Sequence, residues 1–390
     1  MTLQTVCLAL IHAVEMAAAM GWQMLWALML GFMVSGAIQA VVSRGEMAKL
    51  LPDDSPKTLL KATLAGAASS SCSYAATAIA RAIVRKGGDF TAAMAFQFAS
   101  TNLVLELGLI LWTLLGWRFT LAQFVGGALM ILFIGLIFHF LLPRSLKEHA
   151  EEKSDSDVHG KMEGHAEMDM AVEGEASPWK KLVSPEGFTA VSHFFVSDWA
   201  MLWGDLLFGV LISGAIAAWV PHRVWAALFF THDPAAAKLA GPLVGPVVAV
   251  FTFICSVGNI PLAAVLWNAG ASFGGVIAFI FADLIVLPIL DIYRRYYGWK
   301  AAAFLLVSFF VAMAASAYVI EGAFGLLHLT PQAKAGASAL SHPSITWNYT
   351  TWLNLIFAAP TALLAWRFAK TGGPEMLAMM EAPHGSHRCG

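Results

Sequence analysis

The chain has 390 residues, of which 58% are hydrophobic and 12% are charged, and its formal net charge is −2. In soluble globular proteins about a quarter of the residues are charged. The composition therefore excludes an ordinary soluble domain, and the small net charge does not by itself identify a partner.

Long uncharged stretches indicate membrane-spanning helices. The runs Phe119–Pro143, Leu239–Ala282 and Ala301–Ile320 contain no Asp, Glu, Lys or Arg. Because one spanning helix needs about 20 apolar residues, the chain can supply roughly seven to nine spans. We therefore predict an all-α polytopic membrane protein.

The first half of the chain consists of an apolar N-terminal segment, a membrane region and a charged linker. Residues 1–21 are either an interfacial helix or an extra span. Residues 22–142 form a first membrane repeat, and residues 143–190 form a cytoplasmic linker that includes a cluster of 16 charged residues at Arg144–Lys181. The helical segments of the first repeat are expected near 22–43, 58–86, 90–115 and 119–142.

The second half follows the same order. Residues 191–325 form a second membrane repeat, followed by an external loop at 326–348, a last transmembrane helix at 349–368 and a cytoplasmic tail at 369–390. The helical segments of the second repeat are expected near 199–220, 239–270, 273–292 and 300–325.

Matches between the two halves indicate an internal duplication. The stretch Trp22–Trp26 reads WQMLW and corresponds to WAMLW at Trp199–Trp203. The pair Cys72-Ser73 corresponds to Cys255-Ser256, 183 residues later. Transporters are often built from such repeats, so the pattern favours transport.

The distribution of basic residues predicts that the two repeats are inverted. Lys57 and Lys61 lie at the start of the second segment, and Arg81 and Arg85 lie near its end, so both of its ends favour the cytoplasm. A re-entrant hairpin satisfies this requirement, and its counterpart lies in the second repeat. Each repeat then has three spanning helices and one re-entrant hairpin, and this odd number of crossings inverts the second repeat.

Each predicted hairpin carries a Cys-Ser pair near its middle. Inverted-repeat transporters bind their substrates near the midplane of the bilayer, so we predict substrate contacts from Cys72, Ser73, Cys255, Ser256 and Asn259. Thiolates bind soft cations such as Cu(I) and thiophilic metalloids. The alternative is that each cysteine is a small, packed core residue.

Acidic residues in apolar segments are costly and usually functional. Asp283 and Glu106 are therefore candidates for carrying a coupling proton, and Asp205 is a third candidate. The alternative for each is an interhelical hydrogen bond. Asn102 lies one turn before Glu106 on the same helix face and is a further candidate for substrate contact.

Histidine, methionine and cysteine recur in the polar linker and in the tail. Imidazole, thioether and thiol groups in such segments are suited to capturing soft metals. The alternative is a disordered segment in which these residues are incidental. The candidate ligands are His159, Met162, His165, Met168, Met170, His384, His387 and Cys389.

The motif around the second cysteine resembles that of a known family. The stretch Cys255–Leu262 reads CSVGNIPL and is similar to the Cys-Ser-x-Gly-x-x-Pro-Leu pattern of the DUF318 (UPF0718) permeases, which include the ArsP organoarsenical efflux permeases. The resemblance covers roughly residues 22–325. It implies export of a soft toxicant. The first half reads CSYAATA at Cys72–Ala78 and lacks the second Cys, the Gly and the Pro that the family commonly carries there, which argues against an arsenical. The His- and Met-containing linker and tail favour a metal ion such as copper, silver or zinc.

The sequence thus predicts a bacterial inner-membrane permease that exports a thiophilic metal ion or metalloid by alternating access. Proton coupling is expected because no nucleotide-binding P-loop occurs in the sequence. The expected partners are a small-molecule or metal-ion substrate and the lipid bilayer, with no nucleic acid, no cofactor and no enzymatic activity; a homo-oligomer is left open. The alternatives are a permease for an organic or oxyanionic substrate and a membrane metal-delivery factor.

Overall fold

The computed structural model describes residues 3–41, 51–69, 73–85, 87–154, 172, 178–219, 224, 227–230, 233–251, 256–331, 347 and 349–381. The described residues form helices and connecting turns, as the sequence predicted. Among them, five helical stretches are long and apolar enough to cross a membrane: Phe90–Leu114, Trp117–Leu141, Phe273–Tyr297, Trp299–Leu326 and Tyr349–Lys370. The protein is therefore an all-helical, multi-pass membrane protein.

In the described part of the first half there are seven helices. They are α1 (Leu3–Val41), α2 (Pro56–Ser69), α3 (Ser73–Arg85), α4 (Phe90–Asn102), α5 (Leu105–Leu114), α6 (Trp117–Leu141) and α7 (Arg144–Ser154). Residues 3–19, for which the sequence left two possibilities open, are continuous with the rest of α1. At 1.5 Å per residue the 39 residues of α1 extend about 58 Å, well beyond the ~30 Å hydrocarbon layer.

The second half is also mainly helical in the residues that the structure describes. Its elements are α8 (Pro178–Val183), α9 (Pro185–Trp219), α10 (Pro234–Val250), α11 (Ser256–Asn268), α12 (Phe273–Phe281), a 3₁₀ turn (Ala282–Leu284), α13 (Leu287–Tyr297), α14 (Trp299–Leu326), α15 (Tyr349–Lys370) and α16 (Gly373–Glu381). The helix α9 begins well before the expected segment at 199–220, because Ser184 accepts a hydrogen bond from Gly187 N at 2.9 Å and caps its first turn.

The helices α2, α3, α10 and α11 are each too short to cross the bilayer. The helices α2 and α3 have 14 and 13 residues, and α10 and α11 have 17 and 13. A spanning helix needs about 20 residues. Residues 70–72 and 252–255, which connect the members of each pair, lie outside the described residues.

Equivalent turns start the next helix in each half. Asp89 accepts a hydrogen bond from Ala92 N at 3.0 Å and caps α4, and Ser272 accepts one from Gly275 N at 3.1 Å and caps α12. Just before these caps, Gly87 and Gly270 have φ angles of 86° and 96°. Only glycine adopts this left-handed conformation at little cost, so both positions require it.

Two of the five membrane-crossing stretches are interrupted. The stretch 90–114 breaks between α4 and α5, and the stretch 273–297 breaks at the 3₁₀ turn between α12 and α13. Both are 83% buried within the protein, whereas Trp117–Leu141 and Tyr349–Lys370 are 33% and 17% buried. Non-helical backbone at membrane depth is tolerated only inside protein. The broken helices therefore lie mostly in the interior, whereas Trp117–Leu141 and Tyr349–Lys370 are mostly exposed and the continuous helix Trp299–Leu326 is 50% buried.

Helix packing holds these breaks at the centre of the molecule. The helix α2 packs on α4 and α10 packs on α12, while α6 packs on α14 and α1 packs on α9. Aromatic rings join the halves: the Phe98 and Phe309 ring centroids are 4.5 Å apart, and those of Phe119 and Phe273 are 4.9 Å apart.

The beginning of the charged linker is a packed helix, α7. It contacts α3 and α13. Lys147 forms an ion pair with Asp89, and the Ser154 carbonyl oxygen accepts a 3.0 Å hydrogen bond from Arg81 Nε. The Arg81 guanidinium also lies 4.4 Å from the centroid of the Tyr296 ring. The linker therefore binds both halves of the membrane domain at this end.

Candidate functional site

The N-termini of α3 and α11 meet at the centre of the molecule. Their first residues, Ser73 and Ser256, are both buried, and their Oγ atoms are 3.4 Å apart. These two serines are the equivalent residues of the sequence repeat, separated by 183 positions. The structure therefore brings together two residues that the sequence assigned to substrate binding.

Asp283 is the acidic residue at this centre. It lies in the 3₁₀ turn that interrupts Phe273–Tyr297 and has no solvent exposure. Its Oδ2 accepts a 2.7 Å hydrogen bond from Ser73 Oγ, and the side chains of Thr101 and Asn102 adjoin the carboxyl group. Within the described ranges its Oδ1 has no hydrogen-bond partner of normal geometry. The cluster thus contains a carboxyl oxygen that can accept a proton or contact a ligand.

Asn102 connects this cluster to the break between α4 and α5. Gln123 Nε2 donates to Asn102 Oδ1 at 3.0 Å and lies 3.2 Å from the Asn102 backbone oxygen. Asn102 Nδ2 in turn donates to Thr101 Oγ1 at 2.9 Å. A helix end leaves carbonyl groups without intrahelical partners. Gln123 satisfies one of these carbonyls and fixes the orientation of the Asn102 side chain.

A second polar network adjoins Ser73. Gln97 Nε2 donates to Thr77 Oγ1 and to Tyr293 Oη, both at 2.7 Å, and Thr77 Oγ1 donates to the Ser73 carbonyl oxygen at 2.7 Å. All these side chains are buried. The sequence analysis missed them; the available signal was a glutamine between two phenylalanines in the apolar middle of α4, because polar groups inside a membrane need partners.

The structure places two further predicted residues in the interior. Asn259 is fully buried in α11, one turn after Ser256. Glu106 is buried in the first turn of α5, where its Cβ lies so close to Gly31 of α1 that a side chain at that glycine would clash. Glu106 therefore packs in the contact between α5 and α1.

Glu321 is a buried acidic residue that the sequence analysis did not select. It lies in α14 and accepts a hydrogen bond from Gly274 N, in the first turn of α12. An acid at a helix N-terminus is favoured by the helix dipole and by the free backbone N–H groups there. Its position within a long apolar helix was the signal that could have found it.

Several predicted site residues lie outside the described residues. These are Cys72, Cys255, His159, Met162, His165, Met168, Met170, His384, His387 and Cys389, and the side chain of Asp205 is likewise not described. In the part of the chain that the structure describes, no group of three or more His, Cys, Asp or Glu residues is arranged to hold a metal ion.

A helical membrane protein whose broken helices enclose a buried polar centre has the architecture of a transporter. The chain belongs to a family of permeases: the ArsP_1 family model, described as "Predicted permease", matches residues 9–322. The Mycobacterium tuberculosis protein named "Putative permease Rv2963" is 51% identical over 348 residues, which cover 88% of this chain and 85% of that protein. No solved structure matches the chain.

Proposed function

We propose that the chain is an inner-membrane permease that exports a thiophilic metal ion or metalloid by alternating access coupled to proton entry. The observation that carries this proposal is the meeting of Ser73 and Ser256, each preceded by a cysteine in the sequence, beside the buried Asp283.

Inverted repeats with re-entrant hairpins are part of the proposal. The equal lengths of α3 and α11, both 13 residues, and the 183-residue offset of their first serines support a duplication. The shortness of these helices and of their partners α2 and α10 supports hairpins that enter and leave on one side. In this topology α3 and α11 point their N-termini at the midplane from opposite sides.

The substrate class follows from the thiols. Cys72 and Cys255 are covalently attached to Ser73 and Ser256, and consecutive Cα atoms are about 3.8 Å apart. The positive ends of two helix dipoles favour negatively charged groups such as thiolates. Two thiolates select soft cations, so copper, silver, zinc and trivalent organoarsenicals are the substrate candidates.

Asp283 supplies a route for proton coupling. In the inward-facing state, a cation that binds the thiolates would displace the proton from Asp283 into the cytoplasm. In the outward-facing state, release of the cation would leave the carboxylate to take a proton from outside. Export of one cation is then linked to entry of a proton, and Ser73 and Asn102 hold the carboxyl group in place throughout.

An oxyanionic substrate is the second candidate, because two helix N-termini with serine hydroxyl groups also form a site suited to anions. The Asp283 carboxyl group argues against it, since a carboxylate within this cluster would repel an anion. Transport of a soft cation would require the thiols of Cys72 and Cys255, whereas transport of an oxyanion would not. Removal of the two thiols therefore distinguishes the two candidates.

Transport into everted membrane vesicles tests the proposal. Vesicles with the wild type should accumulate Ag(I), Cu(I), Zn(II), arsenite or methylarsenite when a proton gradient is imposed. Accumulation should be lost in Cys72→Ala/Cys255→Ala and retained in the control Cys7→Ala, which removes a cysteine that belongs to no predicted site. Full transport of a soft cation by the first variant would contradict a thiol site.

The coupling role is tested separately with Asp283→Asn. The amide retains an acceptor for Ser73 but cannot exchange a proton. We expect it to abolish gradient-driven accumulation while substrate exchange across the vesicle membrane continues. Accumulation at the wild-type level would show that Asp283 does not carry the coupling proton.

A further inference from the structure

One face of α3 is lined with buried polar side chains. Ser73, Thr77 and Arg81 follow one another at intervals of four residues, so they lie on the same side of the helix, and all three are buried. At 1.5 Å per residue they extend about 12 Å from the central cluster toward the end of the molecule that holds α7. Polar side chains are costly inside a membrane, and they mark the paths of ions and substrates. The polar face of α3 is therefore a candidate access path to Asp283.

Residues of the second half lie against this face. Ser73 Oγ donates to Asp283 Oδ2 at 2.7 Å, and the Arg81 guanidinium lies 4.4 Å from the centroid of the Tyr296 ring in α13. Asp283 and Tyr296 are both buried. The polar face thus lies in the contact between the two halves, which is where alternating access moves one half against the other.

The helix α7 lies across the outer end of this face. The Ser154 carbonyl oxygen accepts a hydrogen bond from Arg81 Nε at 3.0 Å, and Ser154 and Ala150 are themselves buried. A Cβ at Gly298, in the turn between α13 and α14, would lie 3.4 Å from Lys153 Cδ of α7. The helix therefore contacts the first half at Arg81 and the second half at this turn.

An ion pair holds α7 on the first half. Asp89 binds through both carboxyl oxygens, because Oδ1 accepts from Ala92 N and caps α4 while Oδ2 pairs with Lys147 Nζ. The Lys147 and Asp89 side chains are 29% and 6% exposed, so salt and water screen their attraction only in part. Substitution of Lys147 would therefore weaken the hold on α7 without removing the cap of α4.

We propose that the polar face of α3 is the cytoplasmic access path to the central cluster and that α7 is the gate that closes it. Because α7 contacts both halves at one end, the halves separate there only after α7 leaves one of them. The path is closed in this structure, since Ser73, Thr77 and Arg81 are buried. The side of the membrane and the movement of the halves rest on the proposed function, whereas the contacts of α7 do not.

Thiol labelling in everted vesicles tests the gate, because the cytoplasmic face of these vesicles is on the outside. The four native cysteines are replaced by alanine, and Thr77→Cys is introduced as the reporter. A membrane-impermeant maleimide reaches this thiol only when the path is open. Lys147→Gln breaks the ion pair with Asp89, and Tyr296→Leu removes the ring against which Arg81 packs.

We expect Lys147→Gln to raise the labelling rate at the Thr77→Cys reporter about tenfold, because a charge-assisted hydrogen bond stabilises the closed end by roughly that factor. Tyr296→Leu should change the rate in the same direction. The matched control is Asp291→Asn in α13, whose ion pairs are with Arg294 and Arg295 of its own helix. It should leave the labelling rate unchanged.

A second reporter distinguishes opening of the path from general loosening of the protein. Ser316 is fully buried and lies about 25 Å along α14 from its first residue, Trp299. At a Ser316→Cys reporter, Lys147→Gln and Tyr296→Leu should leave the labelling rate unchanged.

An unchanged rate at the Thr77→Cys reporter would overturn the proposal. An equal rise at both reporters, or an equal rise in Asp291→Asn, would also overturn it. Because the assay contains no transported substrate, failure of metal transport would leave the gate intact, and failure of the gate would leave the transport tests unaffected.

Discussion

The strongest test of the central cluster is the same substitution made at its two repeat-related serines. Ser73→Ala removes the donor of the 2.7 Å hydrogen bond to Asp283 Oδ2, and no solvent can replace it at a site with no exposure. Leaving a buried polar group without its partner costs about 1 to 3 kcal/mol. Ser256→Ala removes only a 3.4 Å contact between two hydroxyl groups, which is longer than an ordinary O–H···O hydrogen bond.

We therefore expect Ser73→Ala to lower the free energy of unfolding by about 1 to 3 kcal/mol and Ser256→Ala by less than about 0.5 kcal/mol. The assay is denaturant unfolding in detergent, followed by the fluorescence of the 14 tryptophans and extrapolated linearly. The sequence repeat alone would predict equal effects, so the difference tests the tertiary structure.

A double-mutant cycle tests whether the lost hydrogen bond to Asp283 causes the destabilisation of Ser73→Ala. In an Asp283→Ala background, Ser73→Ala should cost little, which gives a coupling energy of about 1 kcal/mol or more. Equal costs at the two serines, or no coupling between Ser73 and Asp283, would refute the reasoning.

Two further predictions concern the packing around the centre. Tyr293→Phe removes the acceptor of a 2.7 Å hydrogen bond from Gln97 and should lower the free energy of unfolding by about 1 kcal/mol. Tyr297→Phe, its control, should cost almost nothing, because the buried Tyr297 hydroxyl has no partner in the described ranges. Equal losses in the two variants would argue against the Gln97 network. Gly245→Ala introduces a methyl group onto the Gly275 carbonyl oxygen and should lower the melting temperature, with a cost of about 1 to 3 kcal/mol. Gly204→Ala is the control, since a Cβ at that position meets nothing within 4 Å. If Gly204→Ala lowered the melting temperature and Gly245→Ala did not, the packing of α10 on α12 would be contradicted.

The architecture could be predicted in outline from the sequence. Segments expected at 90–115 and 119–142 agree closely with the helical stretches Phe90–Leu114 and Trp117–Leu141. A helix inside lipid must form all its backbone hydrogen bonds within its own segment. The hydropathy of that segment is therefore enough to identify it. The Cys-Ser repeat likewise identified Ser73 and Ser256 before their contact was known.

Only the tertiary structure decided which polar groups meet. Ser73 and Asp283 are 210 residues apart, Gln97 and Tyr293 are 196 apart, and Arg81 and Ser154 are 73 apart. Each contact depends on how helices that are distant in the sequence pack together, and no local pattern of charge or hydropathy encodes that packing. The same separation explains why Thr77, Gln97, Tyr293 and Glu321 were missed: the hydrogen-bond partner of each is not apparent from its own segment.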